Sequence, residues 1–163
     1  MEYVEIILVD FPRELLDQLV CDVFKISTSS VKSSNFHDNQ TGKSIDYAEL
    51  DSIERILRPK GSGTIFLSEF TLGVTMINTL VLFSFDGIKG EVLIHVEENE
   101  FYMNEYEYRK LLTTLFKIRS TFHLERIRIG FEPATDDDMC VLDIDCNSDM
   151  EQSVAQLLYC LHS

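Results

Sequence analysis

The chain has 163 residues, with 28 Asp and Glu against 14 Lys and Arg, for a formal net charge of −14. That balance argues against binding nucleic acid or an anionic membrane surface, because both draw on Lys and Arg. Hydrophobic residues make up 45% of the sequence, enough for a real core. Global disorder is therefore excluded, and one compact domain over residues 1–163 is expected.

Tyr3 to Val9 reads as a buried strand rich in β-branched residues, bounded by Asp10-Phe11-Pro12. Pro12 suits the first turn of a helix, where its missing N–H costs nothing. Leu15, Leu16, Leu19, Val20, Val23 and Phe24 then repeat at helical spacing. Ile26 to Lys43 is rich in Ser, Thr and Asn without periodicity, and predicts a polar surface loop at about 27–44. Asp46 and Glu49 have the spacing of a helix start, continued by Leu50, Ile53, Ile56 and Leu57 and stopped by Pro59 and Gly61-Ser62-Gly63.

Thr64–Phe70, Val74–Phe85 and Glu91–Glu97 read as three strands, with Asp86-Gly87 and Lys89-Gly90 supplying turn chemistry between the last two. Asn104 with Glu107 resembles a capping box ahead of the stripe Tyr108, Leu111, Leu112, Leu115, Ile118 and Phe122. Ile127, Ile129 and Phe131 alternate with Arg126 and Arg128 as a further strand. Cys140, Leu142, Ile144 and Cys146 do the same against Val141, Asp143 and Asp145, and are assigned to the core side. Ser148 with Glu151 would cap a last helix whose core face is Met150, Val154, Leu157, Leu158 and Leu161. The expected class is α+β, a mainly antiparallel (or mixed) sheet of about six strands with about four helices packed on it.

No catalytic or ligand motif accompanies this pattern. The N-terminus Met1-Glu2-Tyr3-Val4-Glu5 is unlike a secretory leader, and no stretch approaches a membrane span of ~20 apolar residues. Cys21, Cys140, Cys146 and Cys160 form no CxxC pair, so reduced thiols and a cytoplasmic location are expected. Asp136-Asp137-Asp138 with Asp143 and Asp145 fails the EF-hand pattern for want of its Gly and terminal Glu. His95 and Glu97 share one strand face, but two ligands do not make a zinc site. Gly61-Ser62-Gly63 lies between helix and strand, the reverse of a phosphate loop. Glu69, between Leu67-Ser68 and Phe70, is the acid whose setting suggests the apolar pocket a general acid needs, although strand alternation puts it as easily on the wet face. No metal and no cofactor are expected.

Charge, in contrast, is segregated. Ile129–Ser163 holds eight acids (Glu132, Asp136, Asp137, Asp138, Asp143, Asp145, Asp149 and Glu151) and no Lys or Arg. Gly90–Tyr108 holds Glu91, Glu97, Glu98, Glu100, Glu105 and Glu107, again with no positive charge. Arg109–Arg128 reverses this with six basic residues against Glu125. Asp143 and Asp145, two apart on a strand, would project to one face ~6.8 Å apart, and a hairpin would bring Glu132 and Asp136–Asp138 beside them. Aromatic anchors are interleaved with the other block. The expected contact surface is therefore Glu98, Glu100, Phe101, Tyr102, Glu105 and Tyr106 together with Glu132, Asp136, Asp137, Asp138, Asp143 and Asp145. Solvation of an exposed sheet edge is the competing account of these charges.

A small acidic α+β chain without a catalytic signature is similar in profile to bacterial immunity proteins, which neutralise toxins, often nucleases with basic clefts. The likeness is one of composition and class, not of motif. It implies a basic protein partner, such as a toxin domain, whose active-site cleft is occluded, and an acidic surface that speeds encounter to ~10⁸–10⁹ M⁻¹s⁻¹. Two other classes stay open. One is a small enzyme with a site assembled across the fold from Glu69, His95 or a cysteine. The other is a subunit that oligomerises through apolar surface.

Overall fold

The structure is a computed structural model that describes residues 2–162. Eight strands form one sheet: β1 (Tyr3–Pro12), β2 (Val31–His37), β3 (Ser44–Ile45), β4 (Gly61–Leu72), β5 (Val74–Phe85), β6 (Lys89–Glu97), β7 (Ile127–Phe131) and β8 (Cys140–Ile144). Their order is β3-β2-β4-β5-β6-β1-β7-β8, and every neighbouring pair is antiparallel. Four α-helices accompany them: α1 (Leu16–Gln18), α2 (Ile53–Ile56), α3 (Glu105–Thr121) and α4 (Met150–His162). The class is α+β with an antiparallel sheet, two strands richer than the sequence suggested.

Of the two added strands, β2 comes from the stretch read as a loop and β3 from its end. β2 is almost wholly polar, and only Phe36 in it is fully buried. Its place is fixed by backbone pairing to β4, where side-chain alternation gives no signal. Phe36 lies across Gly63, where an added Cβ would come 2.2 Å from its ring, and meets Phe83 at 5.9 Å between ring centroids. Gly61-Ser62-Gly63 is thus the start of β4, not a helix stop. Gly63 is the space that lets an aromatic ring reach the sheet.

The first helical stretch runs from a 3₁₀ turn at Arg13–Leu15 through α1 into a π-helical stretch at Leu19–Phe24. Leu16, Leu19, Val20 and Phe24 are buried, as their spacing predicts. The second predicted helix is broken. Tyr47–Glu49 is a single 3₁₀ turn, Leu50 is extended, and only α2 is helical. The Asp46 side chain caps nothing. The α2 cap is Ser52, whose Oγ accepts the Arg55 N–H, while Asp17 accepts both the Ser52 hydroxyl (2.6 Å) and the Ile53 N–H (2.8 Å). A carboxylate distant in sequence therefore secures this helix start.

The long helices follow the sequence more closely. Asn104 and Glu107 form a reciprocal capping box on α3, and Tyr108, Leu111, Leu112, Leu115 and Ile118 are all buried. The α4 cap falls one residue later than predicted: Asp149 Oδ2 accepts the Gln152 N–H, while Ser148 Oγ accepts the Asp145 N–H instead. Val4, Ile6 and Leu8 of β1 share one core with Leu16 and Leu19, with the α3 stripe, and with Val154, Leu157 and Leu161 of α4. The helices therefore pack on one side of the sheet.

Candidate functional site

Side chains alternate along a strand, so the residues between Val4, Ile6 and Leu8 point to the side without helices. Tyr3, Glu5 and Ile7 stand opposite Glu97, His95 and Leu93 of β6. Glu5 and Ile7 stand opposite Gly130 and Arg128 of β7. The same rows continue through Leu80 and Leu82 of β5 to Phe66 and Thr64 of β4. Antiparallel sheets often leave such a face wet and polar. Here Phe66, Leu80, Leu82 and Leu93 occupy it and stay half-buried.

One end of this face is roofed by the β7–β8 connection. Gly130 permits the close approach, since a Cβ there would come 2.3 Å from the Met139 carbonyl. Ala134 is fully buried and donates its N–H to Glu5 Oε2 at 3.1 Å. Arg128, only 8% exposed, donates to the Thr135 carbonyl (2.9 Å), to Asp137 (2.8 Å) and to Cys140 Sγ (3.4 Å). The Cys140 contact and these acceptors hold its guanidinium firmly protonated. Glu91, half-buried on the same face, has its carboxyl pushed up by desolvation and by Asp10.

Beside the roof lies a depression of about 510 Å³ walled by Tyr3, Phe66, Leu80 and His95, with Glu97, Glu132, Lys32 and Asn78 around it. His95 stacks edge-on against Tyr3, with ring centroids 4.4 Å apart. Its Nδ1 lies 3.9 Å from Glu5 and its Nε2 3.6 Å from Glu132. Nε2 is shielded from solvent and has no hydrogen-bond partner. Glu5, His95 and Glu132 each offer an atom within 4.8 Å of the others, the composition of a divalent-metal site. The sequence placed His95 with Glu97 and missed Glu5 and Glu132. Its one signal was Glu5, an acid inside the apolar run Tyr3–Val9.

The predicted contact residues fall into two groups. Glu98 and Glu100 lie in a 3₁₀ turn directly after β6. The Glu98 N–H bonds the Glu2 carbonyl and the Glu132 N–H bonds the Tyr3 carbonyl, so Glu2, Glu97, Glu98 and Glu132 converge at one end of the sheet. Tyr102 donates to Glu98 at 2.5 Å, which pushes its phenol up, and Tyr102 and Tyr106 are 52% and 66% exposed. Phe101 is buried at 1% exposure against Tyr108 and is a core residue, a correction to its expected role as an anchor. Glu105 starts α3 and pairs with Arg109, which also holds Glu151.

The C-terminal acids are less free than their sequence suggests. β7 and β8 do form a hairpin. Asp143, however, is paired with Arg126 and lies 4.0 Å from Arg128, and Asp137 is held by Arg128. Asp145 lies beyond the end of β8 and closes a turn by accepting the Asn147 N–H, so it does not share a strand face with Asp143. Asp136 and Asp138 are exposed in the connection. Cys140 and Cys146 leave the predicted core side as well: a register shift turns Cys140 towards Arg128, and Cys146 is exposed past the strand end. Glu69 is exposed because the alternation of β4 changes phase, from Ile65 and Leu67 buried to Phe70 and Leu72 buried. Among the described residues no helix is long and apolar enough to cross a membrane.

The model of a family described as PABL017 Cdi1I immunity protein matches residues 2–147. Among solved structures, a chain of the toxic C-terminal tip of CdiA from Pseudomonas aeruginosa in complex with immune protein is similar, with a TM-score of 0.67 at 17% identity. The match covers 87% of this chain and 94% of that one, and is a likeness of fold. No curated protein sequence matches.

Proposed function

The chain belongs to the PABL017 Cdi1I immunity protein family, and from that premise we propose that it binds a toxin domain in the cytoplasm and occludes its active-site cleft without catalysis of its own. The toxin surface it meets is basic, and a nuclease is the natural candidate because its cleft must hold phosphates. The observation that supports this most is the convergence of Glu2, Glu97, Glu98 and Glu132 at one end of the sheet, next to a half-buried apolar strip on the helix-free face. Apolar area with a charged rim is the make-up of a protein interface. The proposed contact also takes in Glu100, Tyr102, Glu105, Tyr106, Asp136 and Asp138, whereas Asp137 and Asp143 are already paired within the chain.

The test is binding and protection with a toxin domain of the CdiA C-terminal-tip type. The purified pair should form a stoichiometric complex whose association slows steeply with salt, and toxin activity should be lost in it. A toxin that stays active at saturating immunity protein would reject occlusion of its cleft. Binding that ignores salt would reject the basic partner.

A further inference from the structure

We propose that the depression beside His95 receives one arginine side chain of the toxin, a proposal that rests on the immunity reading above. The pocket is built from five strands and the β7–β8 connection. Tyr3, Phe66 and Leu80 give it apolar walls, and Glu97 and Glu132 give it a carboxylate rim. The buried Glu5 carboxyl lies 3.9 Å behind the imidazole.

Other occupants fit less well. An aliphatic side chain would cover the rim carboxylates without giving them partners, at the cost of their hydration. An anion would meet the carboxylates of Glu97 and Glu132. A cation on a long apolar stem satisfies both halves of the lining. Guanidinium is favoured over ammonium because it is flat, stacks on aromatic rings and can grip a rim carboxylate with two parallel N–H bonds. The pocket already holds one cation at its far wall: Lys32 sits 5.2 Å over the Phe66 ring and donates to Asn78 at 2.6 Å. Its charge opposes the incoming arginine.

The experiment measures association and dissociation rates with the toxin domain for wild type, Glu132→Gln, Glu97→Gln, Lys32→Gln and two distant controls, Glu14→Gln and Lys43→Gln. Glu132 is half exposed, so its variant keeps the fold, which matched melting curves verify. Each Glu variant of the pocket should raise the dissociation rate about tenfold, with association changed much less. Lys32→Gln should slow dissociation, and the controls should leave it unchanged. In a double-mutant cycle against the toxin's arginines, one Arg→Ala should be strongly non-additive with Glu132→Gln. If wild type binds but the pocket variants dissociate like the controls, the arginine pocket is wrong and the immunity reading stands. If wild type does not bind, the reading itself fails and takes the pocket with it. Stoichiometric zinc uptake by the free protein that is lost in His95→Asn would also overturn the proposal, because the cluster would then be a metal site.

Discussion

Replacing Arg128 by Met should unmoor the roof of the helix-free face. Met retains most of the aliphatic stem, so the perturbation is the loss of the guanidinium and its bonds to the Thr135 carbonyl, Asp137 and Cys140. These partners do not count equally. Asp137 is 92% exposed, so its attraction is screened and contributes under ~1 kcal/mol. The Thr135 carbonyl sits in a part-buried contact with a charged donor, worth about 1.5–3 kcal/mol. Loss of Arg128 should therefore destabilise the fold by about 2–4 kcal/mol, while Asp137→Asn should stay under ~1 kcal/mol. Urea melts of the two variants give these figures. Amide exchange at Ala134, whose N–H bonds Glu5, reports whether the roof has opened. Equal losses in the two variants would refute the reasoning, since the salt bridge and not the carbonyl would then be the anchor. An Arg128→Met variant within ~0.5 kcal/mol of wild type would refute it too, because surface substitutions fall in that range.

Glu91→Gln should raise stability at neutral pH. Burial pushes the Glu91 carboxyl above its usual 4.5 in the folded protein, so its stabilising contribution is complete below that value and is lost as pH rises through the folded value; a pH series of melts should show a flatter profile for the Gln variant. Gly63→Ala should loosen the β2 edge, because the new Cβ would fall 2.2 Å from the Phe36 ring. An overpacking loss of about 1–3 kcal/mol is expected, and a melting temperature equal to wild type would contradict it.

What could be read from the sequence follows from which forces are local. α3 was legible because its cap and its stripe lie within one stretch of chain. The three middle strands were legible because their apolar content is dense and their turns are short. β2 was not, because its polar side chains report solvent on both faces and its pairing is made by the backbone. The helix predicted from Asp46 failed because a matching spacing does not show where a carboxylate goes; the working cap came from Asp17 and Ser52. For the site, the acids at Glu98, Glu100 and Glu132 were visible as composition. The meeting of Glu132 with Glu5 and His95 was not, since it depends on β1 lying between β6 and β7. The burial of Phe101 was likewise hidden, because a charged neighbour beside an aromatic does not reveal which way it points.

The position of β1 also sets an order of events during synthesis. This first strand is the partner of β6 and of β7, and Val4 is paired with Phe131. While the ribosome is making β4, β5 and β6, those strands can pair in succession as a meander of short-range hairpins. β1 can then add to β6, but its other edge stays bare until β7 emerges. The roof that bonds Glu5 comes later still, with the β7–β8 connection. The pocket around His95 is therefore completed only once residue 132 and the β7–β8 connection have been made, and a chain interrupted before residue 132 would carry the strip and Glu97 without Glu132. Such a fragment should expose a sticky strand edge and give a cell no defence, so truncations at this point should be cleared or aggregate rather than act as partial inhibitors.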